Sequence, residues 1–107
     1  MLKLTFKTKT LETECNDFTK ATRNHGTRRA KLLHQRVREL KASESLNEMI
    51  EFGIGRCHPL KGNYKGKYAL DLDHPYRLIV EPILNENEQT VGVNVVKLLE
   101  VTDYHGN

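Results

Sequence analysis

The stretch KYALDLDHPYRLIVEPI, residues 67–83, decides the fold of this chain. From Lys67 to Asp73, the large side chains of Tyr and Leu alternate with Ala and Asp, as in a strand with one buried face. His74-Pro75 then makes a turn, and Tyr76 to Ile83 is typical of a central strand that ends near Pro82. The stretch therefore predicts two neighbouring strands of an antiparallel sheet.

Both ends of the chain add strands to this sheet. Near the N-terminus, Leu2, Leu4 and Phe6 alternate with polar residues, which predicts a short opening strand. After a polar hairpin tip at residues 85–88, the segment from Val91 to Val101 is rich in Val and Leu on both faces. Such a segment predicts a last long strand that is buried between neighbours.

The region between the first strand and Gly53 is predicted to be mainly helical, and Gly53 and Gly55 end the last helix. In residues 11–25, side chains recur at helical spacing, although Thr, Asn and Asp lower the helix propensity. Asn24-His25-Gly26 then predicts the end of the helix. A clearer helix capped by Thr27 carries an apolar stripe, and Ser43 or Ser45 caps a short third helix. The fold class is therefore α+β, a small antiparallel β-sheet with two or three helices packed on one face and the other face partly free. The stripe consists of Ala30, Leu33, Val37 and Leu40.

Length, charge and cysteine content narrow the class of protein. The 107 residues predict a single domain spanning 1–107, with no signal peptide and no membrane span. The net charge of +3 is unevenly distributed along the chain, since the formal charge is +7 over residues 1–42 and −4 over residues 43–107. This polarity suits contact with a polyanion, although a solvated helix surface would give it too. The two cysteines form no Cys-x-x-Cys pattern, which indicates reduced thiols in a cytoplasmic protein.

The sequence His58-Pro59-Leu60-Lys61-Gly62 predicts a rigid basic loop. Pro59 favours an extended conformation at His58, and Gly62 and Gly66 permit a tight turn. Lys61, Lys65 and Lys67 would project from or beside this turn and form a phosphate site; a lysine-rich surface turn is the alternative. A zinc site made by Cys57, His58 and a distant His is a further alternative, but we predict no metal and no cofactor.

Two more places could contribute chemistry. Asp103-Tyr104-His105 follows the last predicted strand directly, so the strand would hold these residues in place, although such tails are often disordered. Arg77 lies in the predicted central strand and must face solvent, a partner or the open face of the sheet. An ion pair with Asp71, Asp73 or Glu81 is the alternative for Arg77.

In combination, the His-Pro-Leu-Lys-Gly loop, the Arg77 strand and the closing Asp-Tyr-His resemble the RelE/ParE superfamily of bacterial toxins. Within it, the resemblance is to the HigB-type plasmid maintenance killer toxins, and it covers roughly residues 27–105. It implies a RelE-like fold and a ribosome-dependent mRNA endonuclease. Such an enzyme cuts at the A site by attack of a ribose 2′-hydroxyl on the adjacent phosphorus, without a metal.

The resemblance also implies roles for individual residues. Lys61 and Arg77 would stabilise the charge that builds on the phosphate. His58 and His105 would transfer protons, or one of them would do so with Asp103 as the base, and Tyr104 would stack on or orient an RNA base. Further basic residues would bind RNA phosphates, namely Arg56, Lys65, Lys67, Arg28 and Arg29.

The resemblance implies partners as well. These are a cognate antitoxin with a helix-turn-helix domain and the ribosome with its mRNA, where contacts to 16S rRNA are expected. Operator DNA would be bound only through the antitoxin, and no membrane is involved. Two alternatives stay open, a ParE-like toxin that poisons gyrase and an inactive relative that only binds RNA or a partner.

Overall fold

The computed structural model describes residues 1–83 and 95–103. Five strands form one sheet in the order β1-β5-β4-β3-β2, and four helices lie between β1 and β2 in the chain. The strands are β1 (Lys3–Phe6), β2 (His58–Pro59), β3 (Tyr68–Asp71), β4 (Arg77–Pro82) and β5 (Val95–Thr102). The helices are α1 (Lys9–Asn16), α2 (Phe18–His25), α3 (Thr27–Ala42) and α4 (Leu46–Glu51), and short 3-10 turns cover Ile54–Arg56 and Gly62–Tyr64.

The predicted α+β fold is confirmed, with one difference in strand direction. Neighbouring strands are antiparallel except for β1, which pairs with β5 in parallel, with Lys3 opposite Val95. Alternation over a few residues shows which face of a strand is buried and leaves its direction open. The predicted burial of the last strand is confirmed, because β5 lies between β1 and β4. Residues 91–94 and the hairpin tip at residues 85–88 lie outside the described part.

The caps explain where the helices begin and end. Residues 11–25 form two helices, because Asp17 is extended, ends α1 and accepts a hydrogen bond from the Lys20 N–H at the start of α2. The prediction that Thr27 caps α3 is wrong, since Gly26, with φ of 84°, occupies the cap and Thr27 is the first helical residue. Ser45 caps α4 by accepting from the Glu48 N–H at 3.1 Å.

The helices cover one face of the sheet and leave the other to a loop. On the helix side, the apolar stripe of α3 packs against buried strand residues such as Leu70, Leu78 and Leu98. Because side chains alternate along a strand, Ala69 and Ile79 point to the opposite side, which we call the open face. There they form a small buried cluster with Leu60 and Leu99, and Tyr64 packs against it. No helix in the described part is long and apolar enough to cross a membrane.

Candidate functional site

The basic loop after β2 is anchored at both ends. His58 and Pro59 pair with β3, opposite Ala69 and Tyr68, so His58 lies in a two-residue strand at the start of the predicted loop. The Leu60 N–H donates to the Lys67 carbonyl at 2.9 Å, which closes the loop. Gly62 and Gly66 have φ of 64° and 88°, so the predicted tight turn is confirmed. Lys61 and Lys65 are exposed, and the ammonium of Lys67 lies 6.0 Å from the centre of the Tyr64 ring.

A hydrogen bond to the backbone holds the imidazole of His58. Its Nδ1 lies 2.7 Å from the backbone carbonyl oxygen of Arg56. Because a carbonyl can only accept, Nδ1 carries the proton in this contact, and the Nε2 of the neutral ring keeps its lone pair. The half-buried ring therefore has an atom that can accept a proton. Arg56 itself has φ of 51°, a left-handed conformation that no other non-glycine residue adopts in the described part.

Arg77 lies on the open face and is paired. Its Nε lies 2.9 Å from Asp71 Oδ1, and its Nη1 donates to the carbonyl of Pro75 at 3.2 Å. The sequence offered three acids as possible ion-pair partners of Arg77, and the structure shows that the partner is Asp71. In the sheet, Arg77 stands opposite Asp71 on β3 and opposite Thr102 on β5. Directly opposite residues share a face, so Asp71, Arg77 and Thr102 form a row across the open face.

Asp71 also binds Arg56, which connects the row to the basic loop. The Nε of Arg56 lies 2.6 Å from Asp71 Oδ2, and its Nη2 donates to Oδ1 at 3.3 Å. The hydrogen bond that Arg56 donates to Asp71, and then the charge of Asp71, raise the pKa of Arg56. The sequence offered Asp71 only as a possible partner of Arg77. The signal that could have found it is its register, because the short turn at His74-Pro75 sets Asp71 opposite Arg77.

The predicted catalytic residues fall partly within the described region. His58, Arg77 and the exposed Lys61 lie on the open face or in the loop beside it. Asp103 is exposed and directly follows Thr102, the residue opposite Arg77. Tyr104 and His105 lie outside the described residues. Among the described residues, the strands β3, β4 and β5 thus connect the basic loop to Asp103.

Arg28 and Arg29 lie in α3, on the other side of the sheet. Arg29 donates two hydrogen bonds to Asp73, at 2.9 and 3.1 Å, and its guanidinium lies 3.4 Å from the centre of the Tyr76 ring. Burial acts to raise the pKa of Asp73, but the hydrogen bond from Arg29, a backbone hydrogen bond and the charges of Arg29 and Arg28 together lower it. Arg28 is exposed. The structure therefore does not bring these two arginines together with the basic loop.

A second polar cluster joins the helices. The carboxylate of Glu14 is buried, accepts from Asn24 at 2.7 Å and lies 3.1 Å from Nε2 of His25. The imidazole of His34 bonds to the Glu14 backbone carbonyl at 2.8 Å. These contacts tie α1, α2 and α3 together, so the cluster holds the helix layer in place.

The two thiols are buried and the described residues offer no metal site. Burial raises the pKa of Cys57 to about 12; burial and then the charge of Glu14 do the same for Cys15. Within residues 1–83 and 95–103, no three His, Cys, Asp or Glu side chains are placed to hold a metal ion. The alternative of zinc bound by Cys57 and His58 therefore finds no third ligand in the described part.

Comparison with known proteins identifies the fold. In the YoeB-YefM complex from Staphylococcus aureus, the similar chain is 22% identical over 98% of both chains, with a TM-score of 0.59. A YoeB/ParE toxin from Agrobacterium tumefaciens is 14% identical over 97% of this chain and 100% of its own, with a TM-score of 0.61. No protein-family model and no curated protein matches the sequence. The chain thus has the fold found in YoeB- and ParE-type toxins.

Proposed function

We propose that this chain is the toxin of a type II toxin–antitoxin pair, of the HigB type, and that it cleaves mRNA at the ribosomal A site. The observation that carries the proposal is the geometry of His58, whose Nδ1 is held by the Arg56 carbonyl at 2.7 Å. This contact leaves Nε2 as the atom that can accept a proton, with Lys61 in the same loop and Arg77 on the same face of the sheet. Fold similarity at 14–22% identity supports the scaffold, and the chemistry is argued from the side chains.

The proposed reaction begins with proton transfer from a ribose 2′-hydroxyl to Nε2 of His58. The hydroxyl oxygen then attacks the adjacent phosphorus, and the bond to the 5′ oxygen of the next nucleotide breaks. The products are a 2′,3′-cyclic phosphate and a 5′-hydroxyl, and the leaving oxygen takes a proton from a general acid. His105 is our candidate for this acid, with Asp103 as its partner and Tyr104 stacked on an RNA base.

Lys61 and Arg77 would stabilise the charge on the phosphate in different ways. Lys61 is exposed and has no ion-pair partner among the described residues, so its full charge is available to a phosphate oxygen. Arg77 is 15% exposed and shares its charge with Asp71. It would therefore act as a positioned hydrogen-bond donor more than as a free cation. Arg56, Lys65 and Lys67 would hold flanking phosphates, and Arg28 and Arg29 would touch RNA outside the cleavage site.

The proposed partners follow from the same assignment. The structure of a relative is a YoeB-YefM toxin–antitoxin complex, and we propose a cognate antitoxin with a helix-turn-helix domain for this chain as well. Operator DNA would be bound through that antitoxin only. The ribosome would be engaged through mRNA and 16S rRNA in the cytoplasm.

The test is primer extension on mRNA engaged by translating ribosomes. We expect cuts at A-site codons with the wild-type protein, and a loss of about 100-fold or more with Lys61→Ala, His58→Ala or His105→Ala. Lys7→Ala, an exposed lysine just after β1, is the matched control and should cut normally. A folded wild-type protein that never cuts would contradict the nuclease. Inhibition of gyrase by that protein would then favour the ParE-like alternative, and no effect on either would favour an inactive binding protein.

A further inference from the structure

Three arginines converge on one aspartate of β3. The carboxylate of Asp71 accepts from Arg56 at 2.6 Å and lies 2.9 Å from Nε of Arg77. The backbone carbonyl of the same residue accepts from Nε of Arg36 at 2.7 Å. Arg36 belongs to α3, so Asp71 is held from the helix layer as well as from the open face. Water screens the pair of Asp71 with Arg77 weakly, because these side chains are 28% and 15% exposed, whereas the Arg56 side chain is 62% exposed.

We propose that Asp71 is a positioning residue of the open-face site, which aligns Arg77 directly and His58 through Arg56. This inference rests on the proposed function and goes beyond it, because Asp71 is not expected to touch the substrate. Its role is to fix the two groups on which the proposed proton transfer and charge stabilisation depend.

The effect on Arg77 is direct. The Asp71 carboxylate forms an ion pair with Nε at 2.9 Å, and the carbonyls of Pro75 and Tyr76 accept hydrogen bonds from Nη1 at 3.2 and 3.4 Å. Contacts on two sides of a planar guanidinium fix its plane. Without the carboxylate, the long side chain regains its rotamers and the donors no longer point in one direction.

The effect on His58 passes through the backbone of Arg56. This residue has φ of 51°, a conformation that is unfavourable for a side chain with a Cβ and needs support from its surroundings. The pair between the Arg56 guanidinium and Asp71 provides such support, and the carbonyl of Arg56 is the acceptor for His58 Nδ1. If the pair is lost, the peptide can relax and the imidazole loses the contact that sets its tautomer.

The helix layer also supports Asp71, through the hydrogen bond from Arg36 to its backbone carbonyl. Gly55 precedes Arg56, and a Cβ at Gly55 would lie 2.8 Å from both Cδ and Nε of Arg36. The glycine therefore leaves room for Arg36 to reach the Asp71 carbonyl. Arg36 also donates from Nη1 to Glu39 at 2.8 Å, which fixes its other end.

The experiment compares Asp71→Asn with Asp71→Glu, and uses Glu14→Gln as a matched control. Glu14 is likewise a carboxylate with two side-chain partners, but it lies in the helix layer. Side-chain NMR of the folded proteins is the first readout. In Asp71→Asn we expect the Nε–H signal of Arg77 and the ring signals of His58 to shift. Glu14→Gln should leave both unchanged, whatever its cost in stability.

Single-turnover cleavage on ribosomes is the second readout. We expect Asp71→Asn to slow cleavage by about 100-fold at unchanged ribosome affinity, because small misplacements of reacting groups are costly. Asp71→Glu keeps the charge and should recover to within about tenfold of wild type. In an Arg77→Ala background, Asp71→Asn should cost clearly less than about 100-fold, because only the effect that passes through Arg56 to His58 remains.

Two results would overturn the positioning role. One is an Asp71→Asn protein whose Arg77 and His58 signals match wild type, and the other is a full additive penalty in the Arg77→Ala background. A wild-type protein that does not cut contradicts the proposed function instead. In that case the NMR comparison alone decides whether Asp71 fixes the two groups.

Discussion

Cys15 and Cys57 are buried thiols whose burial has a measurable consequence at alkaline pH. The unfolded chain ionises a thiol near the ordinary pKa of 9.0, whereas the folded protein keeps both protonated up to about pH 12. The stability that this difference contributes is present below about pH 9 and is lost as the pH rises toward 12. We expect the free energy of unfolding to fall by about 1.4 kcal/mol per thiol and pH unit in this range. Urea unfolding at a series of pH values measures the fall.

The control is a variant with Cys15→Ala and Cys57→Ala, because lysines and tyrosines titrate in the same range. Its unfolding free energy should fall less steeply with pH than that of wild type, whatever its starting value. Equal slopes in the two proteins would contradict the burial of the thiols. A thiol reagent gives a second check, since the thiolate is the nucleophile and the folded protein should react slowly.

Single residues of the site were predictable to different degrees. His58, Lys61 and Arg77 are site residues predicted from residue types, their order and the family resemblance; the structure places them on or beside one face of the sheet, and their roles stay a prediction. The positioning role of Asp71 was not predicted, because it depends on the register of two strands and on three arginines from separate elements. Distances of this kind are a property of packing and do not follow from local sequence.

At the scale of elements, the basic loop depends on Leu60. This side chain is 5% exposed and packs with Ala69, Ile79 and Leu99 on the open face. Leu60→Ala should lower the free energy of unfolding by about 3 kcal/mol and release the loop that carries Lys61. We therefore expect a loss of cleavage that is larger than the loss of folded protein, measured by single-turnover cleavage at a temperature where the variant stays folded.

Leu33→Ala provides the matched control from the opposite side of the sheet. Leu33 is fully buried in α3, so its truncation should cost about as much stability or more. Cleavage per folded molecule should nevertheless stay close to wild type, because the loop remains anchored. If both variants lose cleavage in proportion to stability alone, Leu60 has no special role in holding the site.

Elements were predicted where a strong pattern and a cap coincide. The apolar stripe of α3 and the cap at Ser45 gave the right helices. Residues 11–25 were ambiguous because Asp17 has two functions, as the end of one helix and the cap of the next. The parallel pairing of β1 could not be predicted, since it depends on a partner strand from the far end of the chain.

At the scale of the whole molecule, charge should govern the proposed encounter with the ribosome. Several cations of the helix layer are exposed, among them Arg28 and Lys31 of α3. The double variant Arg28→Gln and Lys31→Gln should weaken ribosome binding and reduce the slope of log affinity against log salt by up to about two. Co-sedimentation with ribosomes at several salt concentrations measures this slope.

The control keeps the charge, with Arg28→Lys and Lys31→Arg, and should retain the wild-type slope. The single-turnover cleavage rate at saturating protein should be the same in all three proteins, because these residues lie away from the open face. An unchanged slope in the glutamine variant would show that this surface of the helix layer does not meet RNA.

The pairing of β1 with β5 has a consequence for the order in which the chain folds. Lys3 stands opposite Val95 and Phe6 opposite Leu98, so this contact closes across nearly the whole sequence, whereas β3 and β4 are joined by a short turn. Contacts between distant parts of a chain form slowly. We expect the helices and the β3–β4 hairpin to form first and β1 to dock last. Since Thr102 stands opposite Arg77 at the end of β5, the proposed site of a nascent chain stays incomplete until synthesis has passed that residue.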